Sequence, residues 1–550
     1  MAEEPQKPAS PSGAWNKSSF RALLQDADVF VHCVELVTSR GLITEASGRR
    51  VLKVARQLVE HPDIHALSIT DNPGGNPMIN ADTMGTDLIA RGQEVIIHLS
   101  CKDWNRNALQ GRGWQLSSDG FRNILALSGD CPVGGYHGQA VGVFDIDSVG
   151  LLQMLREMND GGPADDGEPP AQSTGFFLGA AVTNHKKLES EVMPQYFKLA
   201  KKIRAGADYI ISQIGYDARK QDELIKYMQM HDLNVPVIGN VYVLGGPAAR
   251  YFHSGKVPGV VVTDRLMQLV EKHAADEDKG KSFFLEFAAM QCAILKGLGY
   301  RGVYIGGHLT HDDYARVLER AATYSDTDWK SFAGNICYQQ PDEFFYFEQN
   351  PTTRLNTTTV NRLYKRSKDA AMIDQSRRRA PITYRLNRVV HDKVFERDSS
   401  GFKAARKISE LTDKAPAVVQ RIAHGVEHVA KIAAFGCRDC GDCSLPEIAY
   451  LCPESQCAKN QRNGPCGGSR QGRCEVGGKE CIWALAYNRL KAYGEEESML
   501  DGPVVIKDGA LAGTSAWSNR FLERDHQADR ADTAPGAGGD RQSDSSGETA

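Results

Sequence analysis

VFVHCVELV, residues 29–37, is an almost unbroken apolar run rich in β-branched side chains, broken only by His32 and Glu35. A strand with one wet face alternates apolar and polar residues. A continuous run reads instead as a strand of a parallel sheet covered on both faces. Seven more such runs follow, at Ala66–Thr70, Glu94–Ser100, Asn123–Ser128, Phe176–Val182, Tyr209–Ile214, Val235–Val243 and Gly302–Gly306. Segments of helical period separate them, among them Gly48–Glu60, Ser148–Met158, Tyr196–Ala205 and Asp217–His231. Eight β/α repeats between residues 28 and 310 predict a closed (β/α)8 TIM barrel rather than a doubly wound open sheet.

Outside this span the composition changes. Residues 1–27 read as a flexible lead-in ending in a short helix. The stretch MNDGGPADDGEPPAQST, 158–174, reads as an excursion between the fourth and fifth strands. Residues 311–430 are polar and mostly helical, and their basic patch at Lys365–Arg379 reads as a solvated helix face rather than an anionic-partner surface. A Cys-rich module is expected at 431–495. From Ala512 the chain turns rich in Gly, Ser and Asp and reads as a disordered tail at 512–550. The 550 residues carry a net charge of −4, with 41% hydrophobic and 24% charged residues. That is the composition of a soluble globular protein without the basic field that holds nucleic acid. No apolar run approaches the roughly 20 residues that cross a bilayer, so no membrane insertion is expected. The N-terminus, MAEEPQKPASPSGAW, lacks the apolar core of a secretory signal, and a cytoplasmic protein is expected.

Eight of the thirteen cysteines lie between Cys437 and Cys481, opening with Cys437-x2-Cys440-x2-Cys443 and continuing at Cys452, Cys457, Cys466, Cys474 and Cys481. The other five (Cys33, Cys101, Cys131, Cys292, Cys337) are scattered singly, as free thiols of a reducing compartment are. The cluster therefore reads as a metal site rather than a disulfide scaffold. Its opening resembles a ferredoxin-type [4Fe–4S] run, and eight thiolates suffice for two clusters. Structural zinc held by four cysteines fits the same spacings.

A barrel of this kind places its active site at the C-terminal strand ends. The polar residues closing the apolar runs are Glu35, Thr70, Asp71, His98, Ser100, Asp130, Gln213 and Asn240. Glu35 and Asp130 come from separated strands, and their environments can drive two carboxylates apart into one acid and one anionic stabiliser. Structural ion pairing is the alternative. The Asp71–Pro77 turn contains two glycines that would let the backbone approach a ligand. No GxGxxG stands between a strand and a helix as a separate dinucleotide domain requires.

Four segments in order, VHCVELVTSRG (31–41), SITDNPGGNP (68–77), HLSCKDWNRNALQ (98–110) and NILALSGDCPVGG (123–135), resemble the methylenetetrahydrofolate reductase family. The likeness continues through LAKKIRAGADYIISQ (199–213). NGPCGG (463–468) and CIWALAY (481–487) are similar to the Cys-rich C-terminal module of that family, which in acetogenic and related bacteria often forms a separate subunit. The resemblance implies a flavin-bearing barrel reducing 5,10-methylenetetrahydrofolate to 5-methyltetrahydrofolate in one-carbon metabolism. Glu35 matches the general acid, Asp130 the carboxylate beside flavin and pterin, and Gln213 the amide that binds folate. Thr70, His98, His185, Lys201 and Lys202 match flavin-contacting positions. The flavin is FAD or FMN, and the electron donor is NAD(P)H or a ferredoxin or flavoprotein partner. A homo-oligomer or a larger complex is expected. The chain departs from the family at Ser128, where an arginine is usual, and at AAVTNH (180–185), which lacks an aromatic. Two further readings stay open: tetrahydrofolate-dependent methyl transfer or demethylation without redox chemistry, and a non-catalytic scaffold carrying a metal module.

Overall fold

The computed structural model describes residues 18–161 and 172–528. Eight parallel strands close a barrel in chain order: β1 (Val31–Leu36), β2 (Ala66–Ile69), β3 (Glu94–Ser100), β4 (Asn123–Leu127), β5 (Phe177–Val182), β6 (Tyr209–Ser212), β7 (Val237–Tyr242) and β8 (Gly302–Gly306). The last strand returns to the first, with Val31 opposite Gly302 and Val34 opposite Ile305. The closed barrel expected from the eight apolar runs is therefore the fold. Several runs outlast the hydrogen-bonded ladder by a residue or two, because apolar side chains just beyond a strand still pack beneath the helices.

The barrel interior is filled by Cys33, Ala66, Ile96, Leu125, Phe177, Tyr209, Ile238 and Tyr304. Phe20 and Leu24, from the short helix Phe20–Gln25, join this core. The Phe20 ring meets Phe177 edge-on at 5.9 Å and Tyr209 at 5.4 Å. So the expected short helix exists, and it packs into the core, while residues 1–17 of the lead-in lie outside the described residues. The same holds for 162–171, most of the expected excursion. The helix Glu189–Arg204 begins seven residues before the predicted Tyr196, since Pro194 inside it masks its first half.

Two compact units divide the chain, and their limits differ from the expected domains. One comprises residues 1–380 with 456–500; the other comprises 381–455 with 501–550. The first contains the barrel, the antiparallel pair Phe347–Gln349 and Asn356–Val360, and the helix Ile482–Lys491. That helix buries Ile482, Trp483, Tyr487 and Leu490, and its Tyr487 hydroxyl donates to Glu189 Oε1 at 2.7 Å. The basic patch carries the helix Ala370–Arg379, which buries none of its residues, as a solvated face does.

The second unit holds the helices Ile382–Val390, Ser400–Asp413, Ala417–Phe435 and Ala516–Phe521. Its core stacks Phe395 on Phe521 at 5.2 Å and sets Phe402 edge-on to Phe521 at 5.3 Å. A disordered tail from Ala512 is thus corrected: Ala516, Asn519 and Phe521 are buried, and only 529–550 lie outside the described residues. Polar composition concealed this helix, whose anchoring rests on two apolar side chains and one amide. Among the described residues no helix is long and apolar enough to cross a membrane.

Phe20 is fully buried against two rings, so Phe20→Ala should destabilise the protein by roughly 3–5 kcal/mol. Urea unfolding monitored by circular dichroism measures this, and an unchanged midpoint would show that the helix is not part of the core.

Candidate active site

The strand C-termini open on a cavity of about 270 Å3. Glu35 reaches it from β1, His98 and Ser100 from β3, Asn240 from β7 and Tyr304 from β8, while Thr70, Asp130 and Gln213 stand just past their strands. Lys202 joins them from the helix Glu189–Arg204. Of the positions matched to a flavin, His185 and Lys201 do not line the cavity. The His185 ring lies against the backbone of Gly215, where a Cβ would come within 1.9 Å of its Nε2. Burial lowers its pKa to about 3, so it is neutral. Lys201 precedes Lys202 by one residue, which turns it about 100° away around the helix.

Glu35 sits where the apolar barrel core meets the mouth. Burial raises its carboxyl pKa to about 7, partly opposed by the Tyr304 hydroxyl, which donates to Oε1 at 3.4 Å. That hydroxyl also lies 3.3 Å from His98 Nε2, and Ser68 Oγ lies 2.9 Å from the same nitrogen. Burial lowers the His98 pKa to about 4, so its imidazole is neutral. Ser68, His98, Tyr304 and Glu35 therefore form one hydrogen-bonded chain in which only the carboxyl changes charge near neutrality. Ser68 and Tyr304 escaped the sequence reading because each lies inside a strand rather than at its end. An isolated hydroxyl inside an apolar run is the signal that would have found them.

Asp130 accepts the amide of Gly74 at 3.0 Å. The two-glycine turn thus packs on the loop after β4, with its Asp71 and Pro73 at the cavity. Gly75, at φ +70°, packs so closely that a Cβ would fall 2.1 Å from the Cys131 carbonyl oxygen. What approaches this backbone is the loop after β4, and the turn holds Asp130 at the mouth. Asp71 stands beside it, accepting the Ser100 amide at 3.1 Å and hydroxyl at 2.7 Å, with its pKa raised by burial.

The other side of the mouth is built by residues 459–469, from the Cys-rich region. Lys459, Pro465, Cys466, Gly467 and Gly468 line the same cavity as Glu35 and Asp130. Buried lysines hold the segment down. Lys198 Nζ donates to Gln461 Oε1 at 2.8 Å and to the Gly464 carbonyl at 3.1 Å, and Lys186 donates to the carbonyls of Gly467 and Ser469. Asp147 caps a helix at Val149 and Gly150 and also accepts the Asn463 amide at 2.9 Å. Burial alone would raise the Asp147 pKa, but Lys198 and these amides hold it below the ordinary carboxylate range. Ser128, standing where the family usually has arginine, donates to Gln461 Oε1 at 3.0 Å. Gly467, at φ +90°, leaves a Cβ only 2.6 Å from Thr183 Oγ1. The NGPCGG motif is thus the shape of a loop pressed onto the barrel. Lys459 donates to the Gly129 carbonyl at 2.8 Å and pairs with Glu475 at 2.5 Å. Nothing in the local sequence ties Lys459 or Lys198 to the site, since the contacts that do so, Lys459 to Gly129 and Lys198 to Gln461 and Gly464, span hundreds of residues.

The eight clustered cysteines divide between the two units. Cys457, Cys466, Cys474 and Cys481 belong to the barrel unit, and only Cys466 among them lines the cavity. Burial raises the thiol pKa values of Cys457, Cys474 and Cys481, and the nearby Cys466 raises them further. Cys437, Cys440, Cys443 and Cys452 belong to the other unit, where burial likewise raises Cys437 and Cys443, with Cys440 and Cys452 close by. All thirteen cysteines are free of disulfides. Among the described residues no group of three or more His, Cys, Asp or Glu side chains is arranged to hold a metal ion.

The cavity residues fit a planar polar heterocycle. Gln195 Nε2 and Asn240 Oδ1 are buried without a partner, one an unmet donor and the other an unmet acceptor. The edge of a flavin or pterin ring satisfies such pairs. Of the two lysines expected near a flavin phosphate, Lys202 lines the cavity and donates to the Ala181 carbonyl at 2.5 Å, while Lys201 does not line it. Burial, reinforced by Lys198, lowers the Lys202 pKa to about 7.

Residues 44–309 match the family model of methylenetetrahydrofolate reductase, and residues 416–509 match that of the methylenetetrahydrofolate reductase C terminal. Methylenetetrahydrofolate reductase 2 of Schizosaccharomyces pombe is 25% identical over 203 residues, which are 34% of this chain and 29% of that protein. The chain thus spans under a third of that relative's length. Among solved structures, an uncharacterized protein from Clostridium thermocellum that binds two copies of 5-methyl-5,6,7,8-tetrahydrofolic acid has a TM-score of 0.38 at 13% identity, covering 55% of this chain and 98% of that one. Orotidine 5'-phosphate decarboxylase from Lactobacillus acidophilus has a TM-score of 0.27 at 12% identity, covering 53% and 99%. Likenesses at these scores carry no argument about activity. The two family models together match well over half of the residues, and the chain belongs to the methylenetetrahydrofolate reductase family, with that family's C-terminal module on the same polypeptide.

Proposed function

We propose that this chain reduces 5,10-methylenetetrahydrofolate to 5-methyltetrahydrofolate, with Glu35 as general acid and Asp130 as the counter-charge. The observation that carries this reading is a buried carboxyl with a pKa of about 7 in the same cavity as a second carboxyl and an amide, Gln213. The substrate must become a cation before it can accept hydride. Glu35, still protonated near neutral pH, gives its proton to N10, the five-membered ring opens, and positive charge develops at N5 and its methylene carbon. Asp130 favours that charge electrostatically, and Gln213 orients the pterin by hydrogen bonding. A flavin, FAD or FMN, held by Thr70, His98, Asp130 and Lys202 would supply the hydride. Electrons would enter from NAD(P)H or from a ferredoxin or flavoprotein partner. The segment 459–469 narrows the mouth and keeps water from the cation. The cysteines form two ligand sets in this reading, Cys457, Cys466, Cys474 and Cys481 in one unit and Cys437, Cys440, Cys443 and Cys452 in the other. Each set would bind a [4Fe–4S] cluster or a zinc ion in the assembled protein.

Glu35→Gln should cut turnover of methylenetetrahydrofolate by roughly 10²–10⁴-fold. In the wild type, turnover should fall tenfold per pH unit above about 7, as Glu35 loses its proton. Because the folded pKa is raised, stability from this group is full at low pH and is lost as pH rises toward 7. Glu35→Gln should therefore be more stable than wild type above pH 7, and a variant that is both active and no more stable would refute the assignment. Gly467→Val should drive the 459–469 segment off the barrel, raising proteolytic cleavage there and lowering turnover, while equal protection would show that the loop is not held by this contact. In anaerobically purified protein, Cys440→Ser and Cys474→Ser should each lose one of two metal centres, leaving half the wild-type metal by elemental analysis. Visible absorption bleached by dithionite and distinct from flavin identifies iron–sulfur, and zinc without it excludes an electron relay.

A further inference from the structure

The helix Ala417–Phe435 is amphipathic the wrong way round. The residues it buries are Glu427 (3% exposed) and Lys431 (6%), which pair with each other at 3.3 Å. Glu427 also accepts the Trp517 amide at 3.1 Å, and His424 contacts Asp439 at 2.8 Å. The polar side is therefore turned into its own unit. Its apolar residues face outward instead, with Ile422 62%, Val426 66% and Val429 68% exposed. Val418, Val419 and Ile432 are exposed beside them, and on the neighbouring helix Ser400–Asp413 so are Ile408 and Leu411.

The spacing of the stripe is regular. Val419, Ile422, Val426, Val429 and Ala433 recur at alternate steps of three and four, the pattern of a two-helix seam. Ala423, Gly425 and Ala430 flank it, so a facing backbone can come close. The sole exposed charged residue of the helix, Arg421, lies off the stripe. A partner must therefore be apolar and tolerate an uncharged seam. The segments of this chain beyond the described residues are poor in apolar side chains, since 1–17, 162–171 and 529–550 contain no Val, Ile, Leu or Phe and only Met1 and Trp15 as large apolar residues. A lipid surface is disfavoured as well. Interfacial helices present cationic side chains to headgroups, and here the polar side is buried.

We propose that this face binds the same face of a second copy of the chain, the two Ala417–Phe435 helices packing antiparallel about a twofold axis near Val426. An uncharged seam with a 3–4 repeat centred on Val426 is complementary to itself, and a twofold interface uses one patch on both subunits. Steps of three and four correspond to a shallow crossing of about 20°. Ile408 and Leu411 supply further apolar area toward the roughly 800 Å2 per partner that a stable interface buries.

Analytical ultracentrifugation of the full-length protein at micromolar concentration should give a dimer. The double variant Val426→Glu, Val429→Glu should sediment at half that mass with unchanged circular dichroism. Mixing it with Val426→Lys, Val429→Lys should restore a dimer containing one chain of each. A monomeric wild type overturns the proposal. So does a dimer that survives in the double glutamate variant, or a failure of the two charge variants to pair.

Discussion

Buried lysine charge governs the mouth of this barrel. Lys186, Lys198 and Lys459 are almost wholly removed from water at the strand ends, and an ammonium in that position is tolerable only if protein oxygens replace its hydration. Residues 461–469 supply several of them, as carbonyls of Gly464, Gly467 and Ser469 and the amide oxygen of Gln461. Asp147 adds a carboxylate 3.8 Å from Lys198, and Glu475 pairs with Lys459. Neither part is complete alone: without the segment Lys186 and Lys198 lose these carbonyl and amide acceptors, and without those lysines the glycine-rich loop loses much of its anchorage. The Cys-rich region and the barrel are in this sense one structure from residue 456 to 500, although far apart in sequence.

The proposed chemistry rests on a contrast of environments across one small cavity. Glu35 stands over the apolar interior, where ionisation is disfavoured and a neutral imidazole and a tyrosine hydroxyl are its polar neighbours. Asp130 stands at the rim, tied to a backbone amide and near the Lys459 ammonium. One fold thereby holds two carboxyls in different settings, as acid catalysis beside a stabilising charge requires. Ser128, where the resemblance led to an expectation of arginine, donates instead to Gln461 of the incoming loop.

The second unit obeys a different constraint. Its core is small, and much of its burial is polar: Asp442 pairs with His526, whose pKa rises to about 9 against burial because Asp442 and Glu447 surround it. Glu427 and Lys431 are buried together, while the aliphatic face of their helix is left outside. Such a helix is held in its own unit largely through its polar side, with Ala430, Ala434 and Phe435 adding apolar contact near its end.

Much of the fold was legible in the sequence. Eight continuous apolar runs could be satisfied only by a sheet covered on both faces, and a closed barrel then brought Glu35, Thr70, His98, Asp130 and Gln213 to one end. Those positions were readable because each is a polar residue closing an apolar run, a strictly local signal. Tertiary structure alone decided the rest. It assigned the two-glycine turn to the Cys131 carbonyl, divided the eight cysteines between two units, joined Lys198 and Lys459 to the site, and turned the Ala417–Phe435 helix inside out. Each of these depends on which distant groups meet. Periodicity reports how a segment hides its apolar side chains from water, and it carries no record of which distant oxygen will receive a buried charge.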